Sequence, residues 1–184
     1  MLPIGPLMIE HRTIERLIAH IERAVSDGRT RGRMDPLLVD LAVDFMRSYV
    51  DRTHHGKEED ILFRELGKKN LGDDDARVMR ELVEEHRLAR EAVGRIAMAN
   101  DAYRDGAAAA LGEVLDELSF LVRFYPEHIE KEDRVFFPAS MRYFDASERE
   151  ALLAQMREFD RRMIHERYAR VVEEIGRRLG EAVT

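Results

Sequence analysis

The chain reads as an all-α protein on three observations. Apolar residues recur at helical spacing through five long segments. Glycine, proline and acidic clusters punctuate those segments, and no stretch alternates apolar and polar residues as a strand would. The 184 residues suffice for one domain with a sizeable core and are short for two.

The elements follow in order. The first helix runs from about Pro6 to Val25 and ends in a Gly28–Gly32 loop. Asp35-Pro36, an N-cap followed by proline at the first helical position, opens the second, which continues to about Leu66. Gly67 to Gly72 breaks it. Three acids, Asp73 to Asp75, suit the positive start of a third helix that reaches about Asn100. The fourth spans roughly Asp105 to Tyr143 and carries Pro126 inside it, where a proline removes a hydrogen bond and kinks the helix. The fifth begins at the capping-box pattern Ser147-Glu-Arg-Glu150 and runs to about Leu179. Residues 1–145 are expected to form a bundle, and 146–184 a helix packed on it or on a second subunit.

Composition removes several function classes. A net charge of −7 argues against non-specific nucleic-acid binding, and the basic run Arg29-Thr-Arg-Gly-Arg33 reads as a solvated loop. The absence of cysteine excludes disulfides, thiol nucleophiles and cysteine-ligated clusters. No apolar run approaches the roughly 20 residues that span a bilayer, and the first ten residues lack the features of a signal peptide. A soluble, cytoplasmic protein is expected.

His55-x-x-x-Glu59-Asp60-x-x-Phe63 recurs 73 positions later as His128-x-x-x-Glu132-Asp133-x-x-Phe136. Side chains four apart share a helix face, so each copy offers an imidazole and a carboxylate as a two-pronged grip. Helical wheels sort the remaining histidines. His11 falls in the stripe of Leu7, Ile14, Ile18 and Ile21, whereas His20 sits opposite with Arg12, Arg16 and Arg23. In the second helix Leu38, Leu41, Phe45 and Tyr49 define the apolar face and place His55 and Glu59 inward; His54 and Glu58 remain as the alternative register. His86 shares a stripe with Val78, Leu82, Ala89 and Val93. His128 and Glu132 share one with Leu118, Leu121, Tyr125 and Phe136, with Asp133 at its edge.

A single inward histidine is usually a hydrogen-bonded core residue. An inward carboxylate is rarer, because burying one unpaired is costly. Six such groups on four helices point to metal: His11, His55, Glu59, His86, His128 and Glu132. Imidazole with carboxylate suits iron, manganese or zinc, and two bridging carboxylates favour a two-metal site. The Glu-x-x-His spacing of ferritin-like bundles does not recur on paired helices.

Histidine in helix one, His-x-x-x-Glu in helix two, histidine in helix three and His-x-x-x-Glu in helix four resemble the hemerythrin-like, HHE cation-binding family. The stretches His54-His-Gly-Lys-Glu-Glu-Asp-Ile-Leu-Phe63 and His128-Ile-Glu-Lys-Glu-Asp-Arg-Val-Phe-Phe-Pro138 carry the likeness, over roughly residues 6–143. The resemblance implies an up-down-up-down four-helix bundle around a non-haem di-iron centre with an oxo or hydroxo bridge. By position, His11, His55, His86 and His128 would be terminal ligands, and Glu59 and Glu132 would bridge. The implied function is binding or sensing of O2, NO or peroxide. A di-iron oxidase, a peroxidase-type enzyme, an iron-handling protein and a metal-free structural bundle are the alternatives. No nucleic-acid or membrane partner is expected, and the fifth helix offers a face for a homo-oligomer.

Two departures bear on that expectation. Oxygen carriers of the family have a second histidine one turn further along helix three, where this chain has Arg90. They also tend toward His-x-x-x-x-Asp in helix four, a role open to Asp133. One metal is thus left with fewer protein ligands, which weakens the case for a simple oxygen carrier; His54 would supply the missing ligand if helix two were rotated. In the fifth helix Leu152, Met156, Phe159, Met163, Tyr168, Val171, Val172 and Ile175 form an apolar stripe with His165 near its edge. Tyr49 and Tyr125 lie close enough to the motifs either to hydrogen-bond the ligands or simply to fill the core.

Overall fold

The computed structural model describes residues 2–178, with side chains through Met163. Five helices account for nearly all of it, and no strand occurs among the described residues, as the sequence predicts. Helix α1 is Ile4–Arg31, longer than expected at both ends. It stops at Gly32, whose φ of 63° is the left-handed conformation that glycine adopts without a Cβ penalty. Helix α2 covers 36–66, capped by the Asp35 carboxylate, which accepts from the Leu37 N–H at 3.0 Å. It is not uniform: Pro36–Phe45 is α-helical, whereas Met46–His55 and Glu58–Phe63 adopt wider π-type turns. Helix α3 is Asp73–Arg104.

Helix α4 covers 110–140, starting later than expected because Gly106, at φ 101°, turns the chain first. It too widens to π geometry, at Glu132–Phe136. Helix α5 is Ala146–Arg178. Its capping box lies two residues before the predicted one: Asp145 N–H donates to Glu148 Oε2 at 3.0 Å, and Glu148 N–H to Asp145 Oδ1 at 2.8 Å.

Short connections make successive helices neighbours, and α1 closes the ring against α4. The apolar core is divided in two. One cluster holds Ile14, Ile18, Val50, Ala89, Val93, Leu118, Leu121 and Ile129. The other holds Leu7, Leu62, Phe63, Leu82, Phe136 and Phe137, together with Leu152 and Met156 of α5. Between Leu7 and Ile14, Val50 and Ile61, Leu82 and Ala89, and Ile129 and Phe136, each bundle helix inserts histidine or glutamate, forming a buried polar layer across the bundle. His165, Tyr168, Val171, Val172 and Ile175 lie outside the residues whose side chains are described. No helix is long and apolar enough to cross a membrane among the described residues.

Candidate metal centre

Seven buried side chains from four helices converge in that layer as two groups. His11, His54, Glu58 and Glu132 place a ligand atom each within 4.8 Å of one another, and so do His55, His86 and His128. Glu58 and Glu132 join the groups. Glu58 lies 3.4 Å from His54 Nε2 through one oxygen and 3.3 Å from His86 Nε2 through the other. Glu132 lies 3.2 Å from His11 Nε2 and 3.4 Å from His128 Nε2 through Oε2, and 3.6 Å from His86 Nε2 through Oε1. The imidazoles of His55 and His86 stack at 3.8 Å between centroids.

Behind each imidazole stands a carboxylate. His11 Nδ1 donates to Asp133 at 2.7 Å, His54 Nδ1 to Glu10 at 2.9 Å, His86 Nδ1 to Glu59 at 2.7 Å and His128 Nδ1 to Glu85 at 2.8 Å. Asp51 lies 3.6 Å from His55 Nδ1. An ionised carboxylate only accepts, so Nδ1 carries a proton in the four hydrogen-bonded rings and each Nε2 faces inward. Each carboxylate is in turn held by a cation: Arg12 on Asp133, Lys57 on Glu10, Arg90 on both Glu59 and Asp51, Lys131 on Glu85. Aromatic rings fix the remaining faces, with Phe137 stacked on His11, Phe63 on His86 and Phe124 on His128.

The inward nitrogens of His11 and His54 pair with each other at 2.9 Å, but the other inward atoms lack hydrogen-bond partners. Both oxygens of Glu58 and of Glu132, both ring nitrogens of His55, and Nε2 of His86 and His128 are buried without a hydrogen bond. Apart from His55 Nδ1, which faces Asp51, these atoms turn on one place and would be very costly in a metal-free core, so the donor set fits bound cations. Protonation of the polypeptide alone tells the same story. Burial and the adjacent Glu132 charge push the Glu58 carboxyl well above its usual range. Burial opposes charge on His11, but hydrogen bonding to Asp133 and the adjacent Glu132 carboxylate outweigh it and raise the ring to about 9. Burial lowers His54 to about 4 despite Glu10. Protons shared among crowded ligands do part of what a cation would do.

Five of the six residues predicted from sequence meet in this layer: His11, His55, His86, His128 and Glu132. Glu59, expected to grip with His55, lies outside both groups: it is partly exposed, and one oxygen accepts from both His86 and Arg90. Glu58 and His54, the alternative register, occupy the interior beside His55. The wheel missed this because it was anchored on Leu38 and Leu41, which the fold leaves exposed. The buried series is Val39, Val43, Met46, Val50, His54 and Glu58. Residues in a π turn also advance by less than the ~100° assumed, which lets adjacent His54 and His55 both face inward. Asp133 sits behind His11 rather than within either group. Tyr125 is buried edge-on to His128, and burial followed by the charge of Asp51 raises its hydroxyl pKa. His20 is exposed beside Arg23.

A family model, Hemerythrin HHE cation binding domain, matches residues 2–140 and again 79–181. The chain belongs to the hemerythrin HHE cation-binding family. The second match begins in α3, in keeping with an HHE pattern carried once by α1–α2 and again by α3–α4. Comparison with curated proteins and with solved structures returned no match. Family membership and the buried His/Glu groups together establish a cation-binding type of site. Two adjacent histidines, His54 and His55, enter the layer together, and Arg90 clamps two of the supporting carboxylates.

Proposed function

We propose that this protein is a non-haem di-iron protein that binds or senses O2, NO or peroxide. One ion would be held by His11 and His54, the other by His55, His86 and His128, with Glu58 and Glu132 bridging. The observation that carries this reading is the pair of carboxylates whose unpartnered buried oxygens each reach toward both imidazole groups. Nitrogen and oxygen donors without sulfur suit iron, with manganese or zinc as substitutes. Iron there would supply Lewis acidity and one-electron redox chemistry to a small ligand.

The chain's own residues then divide the work. His55 would stand in for the histidine expected where Arg90 lies, so His55, His86 and His128 would hold the second ion with three imidazoles and His11 and His54 the first with two. The His11/His54 side, with one imidazole fewer, would be the one to take an exogenous ligand. The carboxylates behind the rings hold their orientation and make them more basic donors. The apolar clusters above and below exclude bulk water.

Elemental analysis after iron-replete expression, with optical spectra in air, under NO and after reduction, tests the reading. Two irons per chain and a spectrum that responds reversibly to the gas are expected. A folded protein that takes up no stoichiometric metal would sink it. Sustained peroxide consumption or ferrous oxidation at the same site would favour an enzyme over a sensor.

A further inference from the structure

The four cations behind the supporting carboxylates are not equivalent. Arg12, Arg90 and Lys131 are 55%, 37% and 30% exposed, whereas Lys57 is wholly buried. What covers Lys57 is α5. Its ammonium donates to Glu10 and, at 2.7 Å, to Asp160 of α5. Beside it, Gly56 makes room for Phe159: a Cβ at position 56 would lie 2.7 Å from the Phe159 ring. The fifth helix thus reaches the metal layer through an unbroken chain of contacts, Asp160 to Lys57 to Glu10 to His54.

We propose that Asp160 is a positioning residue for His54, so that docking of α5 and metal binding at the His11/His54 half-site are coupled. This rests on the di-metal reading above. With α5 in place, Lys57 sits in a low-dielectric setting where its hold on Glu10 is strong, and Glu10 fixes the tautomer and angle of the His54 ring. With α5 displaced, water reaches Lys57, the pair weakens to the level of an exposed ion pair, and the ring loses its orienting partner. The effect is reciprocal: whatever metal gains from docked α5, α5 gains from bound metal. The C-terminal helix therefore reports the occupancy of a site it does not ligate.

The test uses the full chain, Fe(II) under anaerobic conditions, and the variants Asp160→Asn and Asp160→Glu. Hydrogen exchange across 146–163 is expected to slow when wild-type protein is loaded with Fe(II). Asp160→Asn is expected to bind the more weakly held iron roughly tenfold less tightly, with a changed ligand-field spectrum, and Asp160→Glu to recover most of the loss. If Asp160→Asn lowers thermal stability while leaving iron affinity and spectrum unchanged, the aspartate is only an anchor and the coupling is overturned. Should Asp160→Asn fail to fold, the wild-type exchange measurement decides: protection of α5 indifferent to iron overturns the coupling as well. Wild type that binds no iron overturns the di-metal reading with it, whereas wild type that binds two irons without either coupled response overturns the coupling alone.

Discussion

Glu58 and Glu59 are neighbouring carboxylates in opposite circumstances. Glu58 is fully buried between His54 and His86, with neither oxygen hydrogen-bonded, while Glu59 is 27% exposed and neutralised by Arg90. On the di-metal proposal those surroundings give them different work, Glu58 between the two ions and Glu59 behind a ring. Glu58→Ala is expected to lose at least one metal ion per chain. Glu59→Ala is expected to keep both, with affinity reduced about 10–100-fold because only the orientation of His86 is relaxed. Metal content after gel filtration, followed by titration against a competing chelator, separates the two. The reverse order of losses would return the bridge to Glu59. At this scale the sequence made His11, His86, His128 and Glu132 legible, since each lies on an unambiguous apolar stripe. It left Glu58 and Glu59 undecided, because both belong to a His-x-x-x-Glu pair and only the rotation of one helix distinguishes them.

That rotation is a property of elements. In α4 the wide turn begins at Glu132, after the step from His128, so α-helical phase predicts that step well. In α2 the wide turn begins at Met46, before His54, and the helix enters it with leucines on several faces; Leu37 and Leu41 are more than 60% exposed. Phase read from composition fails under both conditions at once. The cores on either side of the polar layer have their own role, holding the four helices at fixed separation whether or not metal is bound. Leu118, 2% exposed in the cluster remote from α5, is a fair probe. Leu118→Ala is expected to cost about 2–5 kcal/mol in urea unfolding of the metal-free protein. Its metal stoichiometry should match wild type. A loss of metal without loss of stability would mean that the clusters do not act as independent scaffolds.

For the whole molecule, the polar layer is a liability that cations relieve. Seven buried histidine and glutamate side chains occupy space that apolar residues would otherwise fill, and both carboxylates of the layer, Glu58 and Glu132, have no hydrogen-bond partner. Because an unfolded chain does not preserve this constellation, metal stabilises the fold by mass action, by about 2.7 kcal/mol at a free concentration 100 times its Kd. Chelation is expected to lower the Tm, and readdition of Fe(II) or Zn(II) to restore it in proportion to concentration. Calorimetry with parallel metal analysis measures this; a Tm unchanged by verified removal would argue that the layer is satisfied without cations. The sequence by itself determined the all-α fold, the family and the helices that carry the site, because helical periodicity and His-x-x-x-Glu spacing are local properties of the chain. The tertiary structure alone decided that Glu58 with His54 enters the layer beside His55, that Glu59 and Arg90 stand behind it, and that Asp160 reaches it through a buried lysine. Those outcomes depend on the accumulated twist of a partly π-wound helix and on which surfaces α5 covers, and neither quantity is encoded in any short stretch of residues.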